Sequence, residues 1–107
     1  MKKVLVDSLP VPEGFVPTPF QSGYSTLIGP LYEKTTADSV VLGVRIEPKH
    51  GNVGGGAHGG LLMSLADTAL GYGVVHHQDH KVRIATISMH TDFIGPVKQG
   101  DWLEAEV

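Results

Sequence analysis

"GGGAHGGLLMSLADTALGYG", residues 54–73, decides the fold. A glycine-rich loop runs straight into an apolar stretch with leucine and alanine at helical spacing. The pattern predicts a helix over about residues 59–76. At 100° per residue, Leu61, Leu62, Leu65, Ala66, Ala69 and Gly73 form one apolar arc. Asp67 points roughly opposite the centre of that arc. Between Lys49 and Asp79 it is the only formally charged side chain. A surface helix would carry Lys and Glu around it. Its neighbours at helical spacing are instead Met63, Ser64, Gly71 and Val74. A helix that is apolar on both faces is buried on both. A chain of 107 residues can scarcely surround a helix alone, so the second face is expected to meet another subunit or a ligand.

Asp67 therefore matters. An unpaired buried carboxylate costs several kcal/mol and is tolerated mainly at working sites. The plain alternative is a solvated or locally hydrogen-bonded acid. The glycines have a parallel logic. A helix N-terminus presents free N–H groups and the positive end of its dipole, and glycine lets a ligand approach the backbone. "HGG" before Leu61 is thus a candidate oxyanion or anion site. Asp67 lies about two turns further along, on the order of 10 Å. The plain reading of the glycines is a loop that needs them for turn geometry.

Working outward, "SVVLGVRIEP" (39–48) alternates and predicts a half-buried strand ended by Pro48. Val40, Leu42, Val44 and Ile46 share one face; Val41, Gly43, Arg45 and Glu47 share the other. "YSTLIGPLYEK" (24–34) reads as a strand broken at Gly29-Pro30. "KTTAD" is a polar turn, so the two strands form a hairpin. "VRIATISMHTDFI" (82–94) alternates strongly and predicts a further strand, and "WLEAEV" begins another. Residues 1–23, rich in Pro and Gly, read as an irregular N-terminal arm with at most one short helical turn. The order β-β-α-β-β with antiparallel connections is an α+β fold.

Composition bounds the function. The net charge of −3 offers no basic face for nucleic acid. No cysteine is present, which removes disulfides and thiolate chemistry and is compatible with a reducing cytoplasm. "MKKVLVDSLPVPEG" is interrupted by Asp7 and three prolines and makes a poor signal peptide. No apolar run approaches the roughly 20 residues of a membrane span.

Other motifs compete. "GGGAHG" (54–59) matches G-x-G-x-x-G, but Pro48 and "KHGNV" separate it from the preceding strand, and no second βαβ unit follows. "HHQDH" (76–80), with His50, His58 and His90, could suggest a metal. It lacks a metalloprotease Glu, and histidines suit a helix C-terminus. No G-x-S-x-G elbow supports Ser64 or Ser88 as a nucleophile.

Asn52, then His58-Gly59-Gly60, then Asp67 nine residues after His58, with "GPLYEK" and "TISMHTDFIGPVKQGDWLEAEV" in order, resembles the hotdog-fold acyl-CoA thioesterases. The match is nearest to their phenylacetate-pathway (PaaI-like) group and covers residues 24–107. The resemblance implies an antiparallel sheet wrapped around one long central helix, in a homodimer or a dimer-of-dimers tetramer. It implies Asp67 as general base or nucleophile, with the Gly59 N–H on the thioester carbonyl. His58 would order the loop, Asn52 would orient the thioester or water, and Thr86 would assist the water. Gly60, Met63 and Phe93 would contact substrate, with Val74, Phe15 and Phe20 as further pocket candidates. Asp67 would come from one subunit, Gly59 and Asn52 from the other. No metal or cofactor is implied, CoA being part of the substrate; Lys49, Lys81 and Arg83 are candidates for its phosphates. Family members continue with two more strands, so a C-terminally truncated domain is expected. A hotdog hydratase or dehydratase, needing a His paired with an acid, and a non-catalytic acyl-thioester binding module remain alternatives.

Overall fold

A computed structural model describes residues 9–19, 23–79 and 81–107. The elements are β1 (Val16–Pro17), α1 (Gly23–Ile28), β2 (Tyr32–Thr35), β3 (Val40–Arg45), a 3-10 turn (Pro48–His50), α2 (Gly59–His77) and β4 (Trp102–Glu106). The strands form one antiparallel sheet in the order β1-β2-β3-β4, and α2 packs on it. The α+β expectation of one long helix against an antiparallel sheet holds.

The core follows from the two periodicities. Leu61, Leu65 and Ala69 of α2 meet Val40, Leu42 and Val44 of β3, with Ile46 and Leu31 alongside. Leu42, Val44 and Ile46 are fully buried. Strand alternation and helical spacing thus point the predicted apolar sets at each other. Tyr72, one turn beyond Ala69, donates from Oη to Glu33 Oε2 at 2.5 Å and ties α2 to β2. Burial and the adjoining carboxylate both hold its phenol well above the usual range.

Three expectations need correction. First, β3 is not half-buried: Val41 on its other face is also covered. Trp102 of β4 lies over Gly43, and Phe15 from the N-terminal segment meets that ring edge-on at 5.1 Å. A Cβ at Gly43 would fall 2.2 Å from Trp102 Cζ2, so the ring needs glycine beneath it. Gly43→Ala is expected to lower stability by about 1–3 kcal/mol through overpacking, read as a fall in denaturant midpoint at constant slope. Phe15 is thereby placed on the outer face of the sheet rather than in a substrate pocket.

Second, residues 23–28 are helical, not the first part of a strand. Tyr24 and Ile28 stand one turn apart. Ile28 packs on the core, and Tyr24 Oη lies 2.8 Å from Ser64 Oγ. The last carbonyls are taken by downstream side chains: His50 Nε2 on Ile28 O and Lys49 Nζ on Gly29 O. The strand begins only after Gly29-Pro30.

Third, residues 81–94 form no ladder with another described strand. They pass along the second face of α2. Ile84 sits against Gly71, Thr86 bonds Asp67 and Phe93 lies against Gly59. The second face of α2 is thus partly covered by the chain itself, while Leu70 and Val74 stay exposed. Alternation supplies the strand pattern, but a strand is a property of a pair, since its N–H and C=O groups need a neighbouring ladder. Among the described residues no helix is long and apolar enough to cross a membrane.

Candidate active site

The site grows from the loop between β3 and α2. His58 stands at the N-cap of α2 with extended backbone (φ −66°, ψ 135°), and its Nδ1 accepts the Gly60 N–H at 2.8 Å. This is the work of an N-cap Ser or Asp done by an imidazole. A backbone N–H can only donate, so Nδ1 is the acceptor and the ring proton of the neutral form sits on Nε2. The His58 carbonyl then takes Leu61 N–H at 2.9 Å and Leu62 N–H at 3.4 Å. Among the described residues no acceptor takes the Gly59 N–H. His58→Ala leaves the Gly60 donor without its cap. The expected loss is about 0.5–2 kcal/mol, read by thermal or urea unfolding.

Asn52 sits where the loop folds back. Its main-chain N–H reaches Gly56 O at 2.7 Å, and its Oδ1 accepts the Gly56 N–H at 3.1 Å. That second bond fixes which end of the amide is oxygen and leaves Nδ2 as a donor. Asn52, Gly59 and Phe93 line one open cleft of about 290 Å³, together with Ala57, Leu62 and Val97. A Cβ on Gly59 would lie 3.4 Å from Phe93 Cζ, so the aromatic ring already fills that side.

Asp67 is half-buried on α2, and its Oδ1 accepts the Thr86 hydroxyl at 2.5 Å, the short distance expected of a hydroxyl on a carboxylate. The structure therefore gathers the expected residues into two groups. Asn52, Gly59 and Phe93 share the cleft at the start of α2, with His58 and Gly60 forming its cap. Asp67 and Thr86 pair about two turns, on the order of 10 Å, further along. Within one chain the groups do not converge. Met63, half-buried on α2, is not among the residues lining the cleft, and Val74 lines a separate cavity with Gly73 and His76. Phe20 and His80 lie outside the described residues. No three His, Asp or Glu side chains gather as a metal site among the described residues. His50, weighed in the sequence only among the histidines that could suggest a metal, is buried at the base of the loop, where its carbonyl takes the His58 N–H.

Residues 54–107 match the family model of the thioesterase superfamily. The chain belongs to that superfamily. The thioesterase-superfamily chain is 42% identical over 95 residues to a Pseudomonas aeruginosa protein named "Putative esterase PA0474", covering 88% of this chain and 71% of that one. It is similar in structure to the TT0310 protein of Thermus thermophilus, with a TM-score of 0.66 and 26% identity. That match covers 78% of this chain and 68% of the other. The fold of this superfamily member is the hotdog fold, an antiparallel sheet with one long helix against it. Its general activity class is thioester hydrolysis.

Proposed function

We propose that this thioesterase-superfamily domain hydrolyses an acyl-CoA or aryl-acyl-CoA thioester to the free acid and CoA, in the manner of the PaaI-like group. The observation that carries the reading is the uncommitted Gly59 N–H at the start of α2, in an apolar cleft beside the Asn52 amide. A thioester carbonyl placed there meets a helix-terminal donor aimed at the oxygen that becomes negative. Water adds to the carbonyl carbon, and Asp67 takes its proton as general base. The oxyanion collapses, the C–S bond breaks, and the thiolate leaves as CoA. Asp67 acting directly as nucleophile would use the same donors. Thr86, whose hydroxyl points at Asp67, orients that carboxylate or the water. The reaction needs water and no resident metal or cofactor.

The same reading makes the site shared between subunits of a homodimer or dimer-of-dimers, in the cytoplasm. Asp67 of one chain would face Gly59 and Asn52 of the next, which accounts for two groups that stay apart within one chain. Ile87 and Ile94 are 99% and 97% exposed on a segment with strand alternation, a surface suited to a second copy. The hydratase alternative fits less well, because His58 Nδ1 is committed to the Gly60 N–H and not to an acid.

The test is thiol release from a panel of acyl-CoAs, followed with a thiol reagent on a sample whose oligomeric state is checked by sedimentation. Turnover of at least one thioester is expected. A folded oligomer that binds acyl-CoA and releases no thiol would favour the binding module instead. An enoyl absorbance change without thiol release would favour the hydratase.

A further inference from the structure

The catalytic reading uses Asn52, His58 and Gly59 but not His50, which is 4% exposed at the base of the same loop. Every polar atom of this residue is engaged. Its Nδ1 accepts the Glu47 N–H at 2.8 Å, where the chain leaves β3. Its Nε2 meets the Ile28 carbonyl at 2.6 Å, at the end of α1. Because Glu47 N–H can only donate, Nδ1 must accept, and the ring is the neutral tautomer with its proton on Nε2. The main-chain N–H of His50 bonds Glu47 O at 3.0 Å, and its carbonyl takes the His58 N–H at 2.7 Å.

That last bond closes the loop. Between His50 and His58 the chain makes the Gly51–Ala57 bridge, and Asn52 sits at the return. The base of the loop is therefore the His50 carbonyl, and the ring braces it between Glu47, two residues past β3, and the end of α1, while Ala57 N–H on Val97 O ties the far side of the loop. A shift at this point moves the N-cap of α2 and with it the Gly59 N–H.

Resting on the hydrolytic reading for its consequence, we infer that His50 is a positioning residue: its ring fixes the loop that sets the Asn52 amide and the Gly59 N–H relative to each other. It touches no reacting atom. Its effect reaches the chemistry through donor geometry, where misplacement by about 1 Å costs on the order of a hundredfold in rate.

The experiment compares three substitutions with the wild-type chain in thiol release and in hydrogen exchange. His50→Leu removes both ring bonds. His50→Gln restores a donor near Nε2, and His50→Asn restores an acceptor near Nδ1. His50→Leu is expected to lower kcat roughly a hundredfold with KM little changed. His50→Gln and His50→Asn should fall between it and wild type. Amide protection at His58 and Gly60 should drop in the same order, while protection at the middle of α2 is retained. Wild-type kcat in folded His50→Leu would overturn the inference. So would unchanged His58 and Gly60 protection in His50→Gln and His50→Asn, which decides the matter if the leucine variant does not fold. Protection that depends on residue 50 in a wild-type chain releasing no thiol would sink the hydrolytic reading alone and leave the bracing role standing. Thiol release with no such dependence would do the reverse.

Discussion

Asp67→Asn is expected to reduce thiol release by about 10²–10⁴-fold, the range for loss of a general base. The substitution is nearly isosteric, and the amide Oδ1 can still accept the Thr86 hydroxyl that now bonds the carboxylate. The fold and the oligomer should therefore persist. What is lost is the capacity to take a proton from water, or to attack as a nucleophile. No other Asp or Glu lies on α2 to replace it. In the proposed mechanism the carboxylate works in the transition state and not in holding CoA, so the loss should fall on kcat, with KM close to wild type. Initial rates over a range of acyl-CoA concentrations measure both. A variant at full rate would remove Asp67 from the mechanism, whatever the superfamily.

How much of this was legible in the sequence depends on the range of the forces involved. The helix was, because its signals are local: it runs Gly59–His77 against an expectation of 59–76, from a glycine pair and leucines at fixed spacing. The inner face of β3 was legible for the same reason, since Val40, Leu42 and Val44 alternate. Its buried outer face was not. Nothing near Gly43 announces that Trp102, on a strand much later in the chain, will lie on it. The helix at 23–28 was misread as strand because its stabilising partners, Lys49 and His50, come from another segment. Residues 82–94 show the opposite failure. Their alternation is the cleanest in the chain, yet alternation states only which faces differ, not that a neighbour supplies the ladder. In the site, His58-Gly59-Gly60 at the start of α2 was legible from the helix pattern, while Asn52 entered only through the family resemblance. The cap made by the His58 ring and the Asp67–Thr86 bond did not, because both depend on side-chain direction after folding.

Mixing two inactive chains should restore activity if the two groups belong to one site across a subunit boundary. Asp67→Asn supplies an intact Asn52–Gly59 cleft. Asn52→Asp supplies an intact Asp67–Thr86 pair. It keeps an oxygen for the Gly56 N–H, so the loop retains its tie, but it removes the amide donor and sets a negative charge beside the oxyanion of the proposed mechanism. In a two-fold dimer the interface is isologous, so each mixed dimer holds one site with both defects and one with neither. Random reassociation makes half the dimers mixed, and activity should return to about one quarter of wild type. A site contained within one chain gives no such rescue, since every chain in the mixture carries a lesion. Unfolding and refolding the two variants together, with each refolded alone as control, measures the difference by thiol release. The outcome separates two explanations of one observation. Either Asp67 stands two helical turns from the Gly59 N–H because the reacting carbonyl lies between two subunits, or the pair never meets a common substrate and Asp67 serves only to hold residues 81–94 on α2 through Thr86.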